Sequence, residues 1–94
     1  MVDEKTLPLA LSELAERRSW FSKINAEQVL AWLEQKQLPL LGIDAARKLP
    51  DGDWELLLDC LDLSNEADRL ATIEQGREFI AQRPGTDFMF EPVW

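Results

Sequence analysis

A Pro-Asp-Gly turn at residues 50–52 constrains the fold of this chain more than any other feature. Proline fixes φ at about −65° and glycine tolerates positive φ, so these residues suit a tight reversal of the chain. The segments on either side, "LPLLGIDAARKL" before the turn and "DWELLLDCLDL" after it, are similar in length. We therefore predict a β-hairpin with arms at about 38–48 and 53–62.

Hydrophobic periodicity alone does not decide the structure of the second arm. A strand would place four residues on its core face: Trp54, Leu56, Leu58 and Cys60. A helix would align another four: Trp54, Leu57, Leu58 and Leu61. Both patterns fit equally well, and the lack of β-branched residues favours the helix. The turn favours the hairpin, and an all-α fold is the alternative.

Three segments show helical periodicity, at about 8–18, 25–37 and 65–83. The second has clear start signals, because Asn25 and Gln28 form a capping-box pattern and Ile24 stands where a hydrophobic staple is expected. The residue before Pro39 is disfavoured in helical conformation, so this helix is predicted to end near residue 37.

The third helix is predicted to begin at Ser64 or Asn65. Its apolar face comprises Leu70, Ile73, Phe79 and Ile80. Gly76 costs roughly 1 kcal/mol relative to alanine inside a helix, so we expect a neighbouring element to pack closely there. The aromatic segment "TDFMFEPVW" predicts a final strand at about 87–93. The expected fold is one α+β domain over residues 1–94, with three helices packed on a small sheet.

Charge and composition restrict the function classes. The chain has 94 residues, with 18 acids and 10 bases, and a net charge of -8. This charge disfavours direct binding to nucleic acid or to anionic membranes, and it favours basic partners. The chain has no histidine, which is the commonest metal ligand and acid–base catalyst. Its single cysteine excludes an internal disulfide and a thiol-rich metal site. We expect a cytoplasmic, non-enzymatic protein with no cofactor and no metal, since no signal peptide or membrane span is evident.

The carboxylates around the hairpin are the candidate binding residues. Their spacing does not match a calcium loop, so a solvated acidic face is the better interpretation. The predicted acidic face comprises Asp51, Asp53, Glu55, Asp59 and Asp62. The predicted apolar anchors are Leu57, Leu61 and Trp94. Apolar groups set among carboxylates suit a basic protein partner, because charge steers the encounter and desolvated apolar groups slow dissociation.

The order of the segments resembles a known class of proteins. The order is a capped helix "AEQVLAWLEQKQ", then "LPLLGID", a hairpin through "PDGDWEL", "LDLS", a long helix "EQGREFIAQRP" and a closing "DFMFEPV". This resembles small immunity proteins of bacterial polymorphic toxin systems, in particular the α+β immunity protein 40 group, over roughly residues 25–94. The resemblance implies a non-enzymatic inhibitor that binds a cognate toxin, and it transfers no individual contact residue.

Two other function classes stay open at this point. A phage-type DNA mimic, such as an anti-restriction or anti-CRISPR inhibitor, would also be strongly acidic, but its acids should spread along a duplex-like array. A protein-interaction adaptor domain would need no toxin at all. Oligomeric state is not predicted.

Overall fold

The computed structural model describes residues 6–17, 19–56, 60–83 and 85–94. The helices of these residues are α1 (Leu9–Ser12), α2 (Lys23–Lys36) and α3 (Arg69–Ala81). The strands are β1 (Phe21–Ser22), β2 (Gly42–Lys48), β3 (Trp54–Leu56), β4 (Leu61–Asp62) and β5 (Phe88–Val93). The predicted α+β class is confirmed, and the all-α alternative is wrong.

The sheet is antiparallel and is organised around β2. The strand order is β1-β5-β2-β3, and β4 also pairs with β2 beside β3. A hairpin at the predicted turn is confirmed, with Lys48 opposite Trp54 and Arg47 opposite Glu55. Its arms are shorter than predicted, because β2 begins only at Gly42 and the described part of the second arm pairs with β2 in two short pieces, β3 and β4. Gly52 adopts φ +91°, the positive value that the turn prediction required.

The register divides the side chains of the sheet between two faces, because paired residues of antiparallel strands point the same way and neighbours along a strand alternate. Ile43, Ala45 and Phe90 share one face, and α2 and α3 cover it to form the main core. We call the opposite face the outer face. Its residues are Ser22, Gly42, Asp44, Ala46, Lys48, Trp54, Leu56, Asp62, Met89, Glu91 and Val93.

Helix α2 begins two residues before its predicted start. Its N-cap is Ser22, which makes no side-chain capping bond, whereas Asn25 accepts a hydrogen bond only from the Gln28 side chain, at 3.5 Å. Ile24 is 68% exposed, so the predicted staple is wrong. The physical reason is that Phe21 pairs with β5, and the chain passes directly from this strand into the helix.

Helix α3 begins four residues after its predicted start. Asp68 is its N-cap and accepts hydrogen bonds from the backbone N–H groups of Leu70 and Ala71. Three members of the predicted apolar face are buried: Ile73, Phe79 and Ile80. Leu70 is 62% exposed, because the later start leaves it in the first turn, outside the core.

The close approach predicted at Gly76 is confirmed. A Cβ atom at this position would contact Leu40 Cδ2 and would lie 3.3 Å from Leu30 Cδ1. Thr72, one turn earlier, accepts a hydrogen bond from the Leu40 backbone N–H at 3.0 Å. The residues leading into β2 are thereby fixed against α3.

The first predicted helix is much shorter than expected. Only Leu9–Ser12 is helical, and the chain then turns back, with the Glu16 N–H donating to the Trp20 carbonyl and the Trp20 N–H donating to the Arg17 carbonyl. Pairing of Phe21 with β5 follows immediately. Residues 16–17 and 19–20 therefore lie against the sheet instead of continuing α1.

Candidate functional site: the outer face of the sheet

Residues 16–17 and 19–20 partly cover the outer face. The Glu16 carboxylate forms an ion pair with Lys48 Nζ at 2.8 Å, and the Ser19 hydroxyl donates to the Glu91 carboxylate. Ala46 and Met89, in the middle of this face, are fully buried. The two ends of the outer face are left accessible, one aromatic and one acidic.

The aromatic end is a groove between Trp20 and Trp54. The two rings meet edge to face, with centroids 6.0 Å apart. The guanidinium of Arg17 lies 4.3 Å from the centroid of the Trp54 ring, and its Nη2 donates to the Gly52 carbonyl at 3.3 Å. We call this the tryptophan groove, a cavity of about 550 Å³ lined by Arg17, Trp20, Trp54 and Leu56. Leu56 is 72% exposed, so the groove presents apolar surface to solvent.

The acidic end is a pair of carboxylates on neighbouring strands. Asp44 of β2 stands directly opposite Glu91 of β5. Neither belongs to an ion pair among the residues that the structure describes. Like charges directly opposite each other are an unfavourable pairing in a sheet, and the Ser19 hydroxyl donates a hydrogen bond to one of the two, Glu91. A cation placed between the two would relieve that repulsion.

The predicted acidic face is not a single row. Asp51 lies in the hairpin turn and accepts a hydrogen bond from the Asp53 N–H at 3.0 Å. Glu55 points to the helix side of the sheet and pairs with Arg47 at 2.8 Å. The predicted acidic residue Asp59 lies outside the described residues.

Asp62 has a local structural role. Its carboxylate accepts hydrogen bonds from the backbone N–H of Ser64 at 3.0 Å and from the Ser64 hydroxyl at 2.7 Å. These bonds favour the ionised form and lower the pKa of Asp62. This contact also explains why Ser64 does not cap α3.

Two of the three predicted apolar anchors are described by the structure, and both are partly buried. Leu61 stands opposite Ile43, on the helix side of the sheet, and packs partly buried against the main core. Trp94 is also partly buried and meets Trp32 edge to face at 5.7 Å. The third predicted anchor, Leu57, lies outside the described residues.

The predicted core row of the second arm is also wrong. Leu56 and Cys60 are exposed and Trp54 is half-buried, whereas Leu58 lies outside the described residues. Alternation correctly predicts that Glu55 and Trp54 point to opposite faces, but it does not reveal which face the helices cover. Because β3 is at the sheet edge, its helix-side residue Glu55 is exposed as well.

Sequence reasoning missed Arg17 and Trp20. The helix predicted at 8–18 contained Arg17 and gave no reason to bring it to Trp54. The available signal was the position of "RRSWF" just before a capped helix, where an extended segment can pair with the sheet.

Within the described ranges, no three of the Cys, Asp and Glu side chains are grouped as a metal site would require. In the same residues, no helix has the length and apolar character to cross a bilayer. Comparison of the chain with protein-family models, with curated proteins and with solved structures gives no match.

Proposed function

We propose that this protein is a non-enzymatic inhibitor that binds a basic protein partner through the outer face of its sheet. The class of inhibitor that we propose is an immunity protein, which neutralises a cognate bacterial toxin in the cytoplasm of the producing cell. The observation that carries the proposal is the outer face itself, where exposed Leu56 and half-buried Trp54 lie on the same face as the carboxylates Asp44 and Glu91.

The aromatic end supports protein binding rather than catalysis. Tryptophan is enriched at the energetic centres of protein interfaces, where apolar contacts become fully desolvated. In the tryptophan groove, Trp54 already has one indole edge and one guanidinium in contact, so its ring is held in place before a partner arrives. A pre-ordered side chain loses less conformational entropy on binding.

The acidic end supports a basic partner. With a net charge of -8, the chain attracts cations over several ångströms and accelerates their association at low salt. A lysine or arginine of the partner, placed between Asp44 and Glu91, would replace a repulsive contact by charge-assisted hydrogen bonds. The described acids of the hairpin and β5 divide between the two faces of the sheet and the turn and form no single row, whereas a duplex-like DNA mimic needs a continuous array on one surface.

The test is a reconstituted complex measured across salt. The tagged chain captures its partner, the partner is purified, and association and dissociation rates are measured between 50 and 300 mM NaCl. Asp44→Lys should slow association about tenfold at low salt, since it reverses the charge at the acidic end. Glu78→Lys is the matched control, because Glu78 is exposed on α3 and carries the same charge change.

A toxin readout completes the test. Cells that express the purified partner's gene should survive with the wild-type chain and should lose protection with the double variant Asp44→Lys/Leu56→Asp. Binding that does not weaken with salt, or equal weakening by Glu78→Lys, would contradict the assignment to the outer face. A partner without toxicity would contradict the immunity class.

A further inference from the structure

The hydrogen bonds around the hairpin turn show which residues of β3 direct their backbone N–H and C=O groups toward β2 and which direct them away from it. On one side of β2, the Lys48 N–H donates to the Asp87 carbonyl at 2.7 Å. On the other side, the Leu49 N–H donates to the Asp53 carbonyl at 2.8 Å. In an antiparallel ladder, successive residues bond alternately to one neighbouring strand and to the other. Glu55, opposite Arg47, is therefore the residue of β3 that bonds to β2.

Trp54 and Leu56 consequently direct their backbone N–H and C=O groups away from β2. In the part of the chain that the structure describes, the ladder with β2 is the only one that β3 makes. Two residues at spacing i, i+2 thus present two donors and two acceptors along an unpaired edge. This is the pattern that an added strand uses in β-augmentation.

The side chains beside this edge alternate in character. Trp54 and Leu56 point to the outer face and form part of the tryptophan groove. Glu55 points to the other face, where it is exposed and paired with Arg47 at 2.8 Å. Asp51 and Asp53 lie at the turn end of the strand, both exposed and in no ion pair among the described residues. A strand laid along β3 would meet apolar surface on one face and carboxylates on the other and at one end.

We propose that β3 accepts an extended segment of the partner protein as an added strand, and that this segment alternates basic and apolar side chains. The inference rests on the proposed function for its basic partner and goes beyond it in naming the mode of recognition. The apolar side chains would contact Leu56 and the tryptophan groove, and the basic ones would face Glu55 and the turn carboxylates. Backbone pairing would supply hydrogen bonds that do not depend on partner side chains.

Charge selects the partner over a second copy of this chain. Two β3 edges paired with each other would bring Asp51, Asp53 and Glu55 of both copies together, at a strand spacing of about 4.8 Å. Like charges across strands destabilise the pairing, and charged side chains are a common protection of natural sheet edges. A basic strand turns the same carboxylates into attractive contacts.

The experiment uses the full ¹⁵N-labelled chain and a synthetic probe, the capped peptide acetyl-KVKVKVK-amide. On peptide binding, amide hydrogen exchange should slow at least tenfold at Trp54 and Leu56. It should stay unchanged at Glu55, whose N–H already bonds to β2, so this residue is an internal control. A peptide of the same sequence, N-methylated at every residue, keeps every charge but has no residue N–H with which to pair with β3 on either edge, and it should bind at least tenfold more weakly.

A proline substitution separates the contribution of the backbone N–H at position 56 from that of the Leu56 side chain. Leu56→Pro removes an outward-facing N–H without removing a bond to β2, because the Leu56 N–H belongs to the unpaired edge. It should bind the peptide about fivefold more weakly than Leu56→Ala, which reflects the loss of one hydrogen bond. Unchanged exchange protection in β2 and β5 verifies that both variants are folded.

Three results would overturn strand addition. If the N-methylated peptide binds as well as its parent, or Trp54 and Leu56 exchange at unchanged rates, side-chain charge alone holds the peptide. The proposed function then survives, provided that partner binding still depends on salt and on Asp44. If the two amides become protected without peptide as the protein concentration rises, and sedimentation shows a dimer, the edge serves a second copy.

Discussion

Trp54 connects the hairpin to Arg17 and Trp20. The Arg17 guanidinium lies over its ring, and the ring forms an edge-to-face pair with Trp20. The Trp54 side chain is nevertheless only half-buried. A half-buried aromatic contributes to stability in proportion to the area it removes from water. Trp54 therefore has two roles: it holds Arg17 and Trp20 on the sheet, and it presents apolar surface to solvent.

We predict that Trp54→Ala costs about 2 kcal/mol, roughly half of the 3–5 kcal/mol that a fully buried aromatic costs. Phe90→Ala is the reference, because Phe90 is fully buried in the main core. Urea denaturation of both variants measures the difference. Equal losses would show that Trp54 belongs to the core.

Asp62 makes stability depend on pH. The Ser64 hydrogen bonds lower the pKa of Asp62 below its ordinary 3.8. A carboxyl with a lowered pKa in the folded state stabilises the protein fully above the unfolded value, and this contribution is lost as pH falls through the lowered pKa. We predict that Asp62→Asn loses less stability than the wild type between pH 6 and pH 2.5, measured by urea midpoints. Glu34, whose pKa the Arg77 pair lowers, remains intact as a second acid-sensitive group in both proteins.

At the scale of elements, the helix starts differ most from the sequence-based prediction. Capping rules identify polar residues that are able to cap a helix, and both Asn25 and Asn65 are such residues. Each helix nevertheless begins where the preceding segment leaves its own hydrogen bonds. For α2 this contact is the pairing of Phe21 with β5. For α3 the segment after β4 is tied by the Asp62–Ser64 hydrogen bonds before Asp68 caps the helix.

We predict that Asp68→Ala destabilises the protein by about 1 kcal/mol, because two backbone N–H groups lose their acceptor. Asn25→Ala should stay within about 0.5 kcal/mol of the wild type, as expected for a surface residue without a capping role. Thermal unfolding of the two variants measures both values. A larger loss of stability for Asn25→Ala would show that Asn25 caps α2, as the capping-box prediction states.

The sequence was sufficient for α2, α3, the hairpin and β5, because each has strong periodicity or an unambiguous turn. It was insufficient for β1, whose two residues carry no periodic signal, and for the length of α1. The candidate site was harder still. The alternation at Trp54, Glu55 and Leu56 was correct, but which face the helices cover depends on elements distant in sequence.

At the scale of the whole molecule, repulsion among acids opposes folding. The chain has a net charge of -8. The ion pairs among its described residues are all solvent-exposed, and such pairs are individually weak. Salt screens long-range repulsion more than it weakens these short contacts.

We predict that raising NaCl from 10 to 200 mM raises the Tm of the free protein by a few degrees, while the same change weakens the complex with a basic partner. Circular dichroism measures the first effect and binding kinetics the second. The neutral variant Asp44→Asn is the control, and its Tm should respond less to salt. A Tm that falls with salt would mean that the exposed ion pairs outweigh the repulsion.

The unpaired edge of β3 makes the protein's colloidal behaviour depend on pH. At neutral pH, Asp51, Asp53 and Glu55 keep two such edges apart. Near the isoelectric point of about 4.4, the net charge of the chain vanishes, so the long-range repulsion between whole molecules is lost. The exposed Leu56 and its free backbone groups then favour edge-to-edge association, so the sheet edge that we assign to partner recognition becomes the first site of precipitation on acidification.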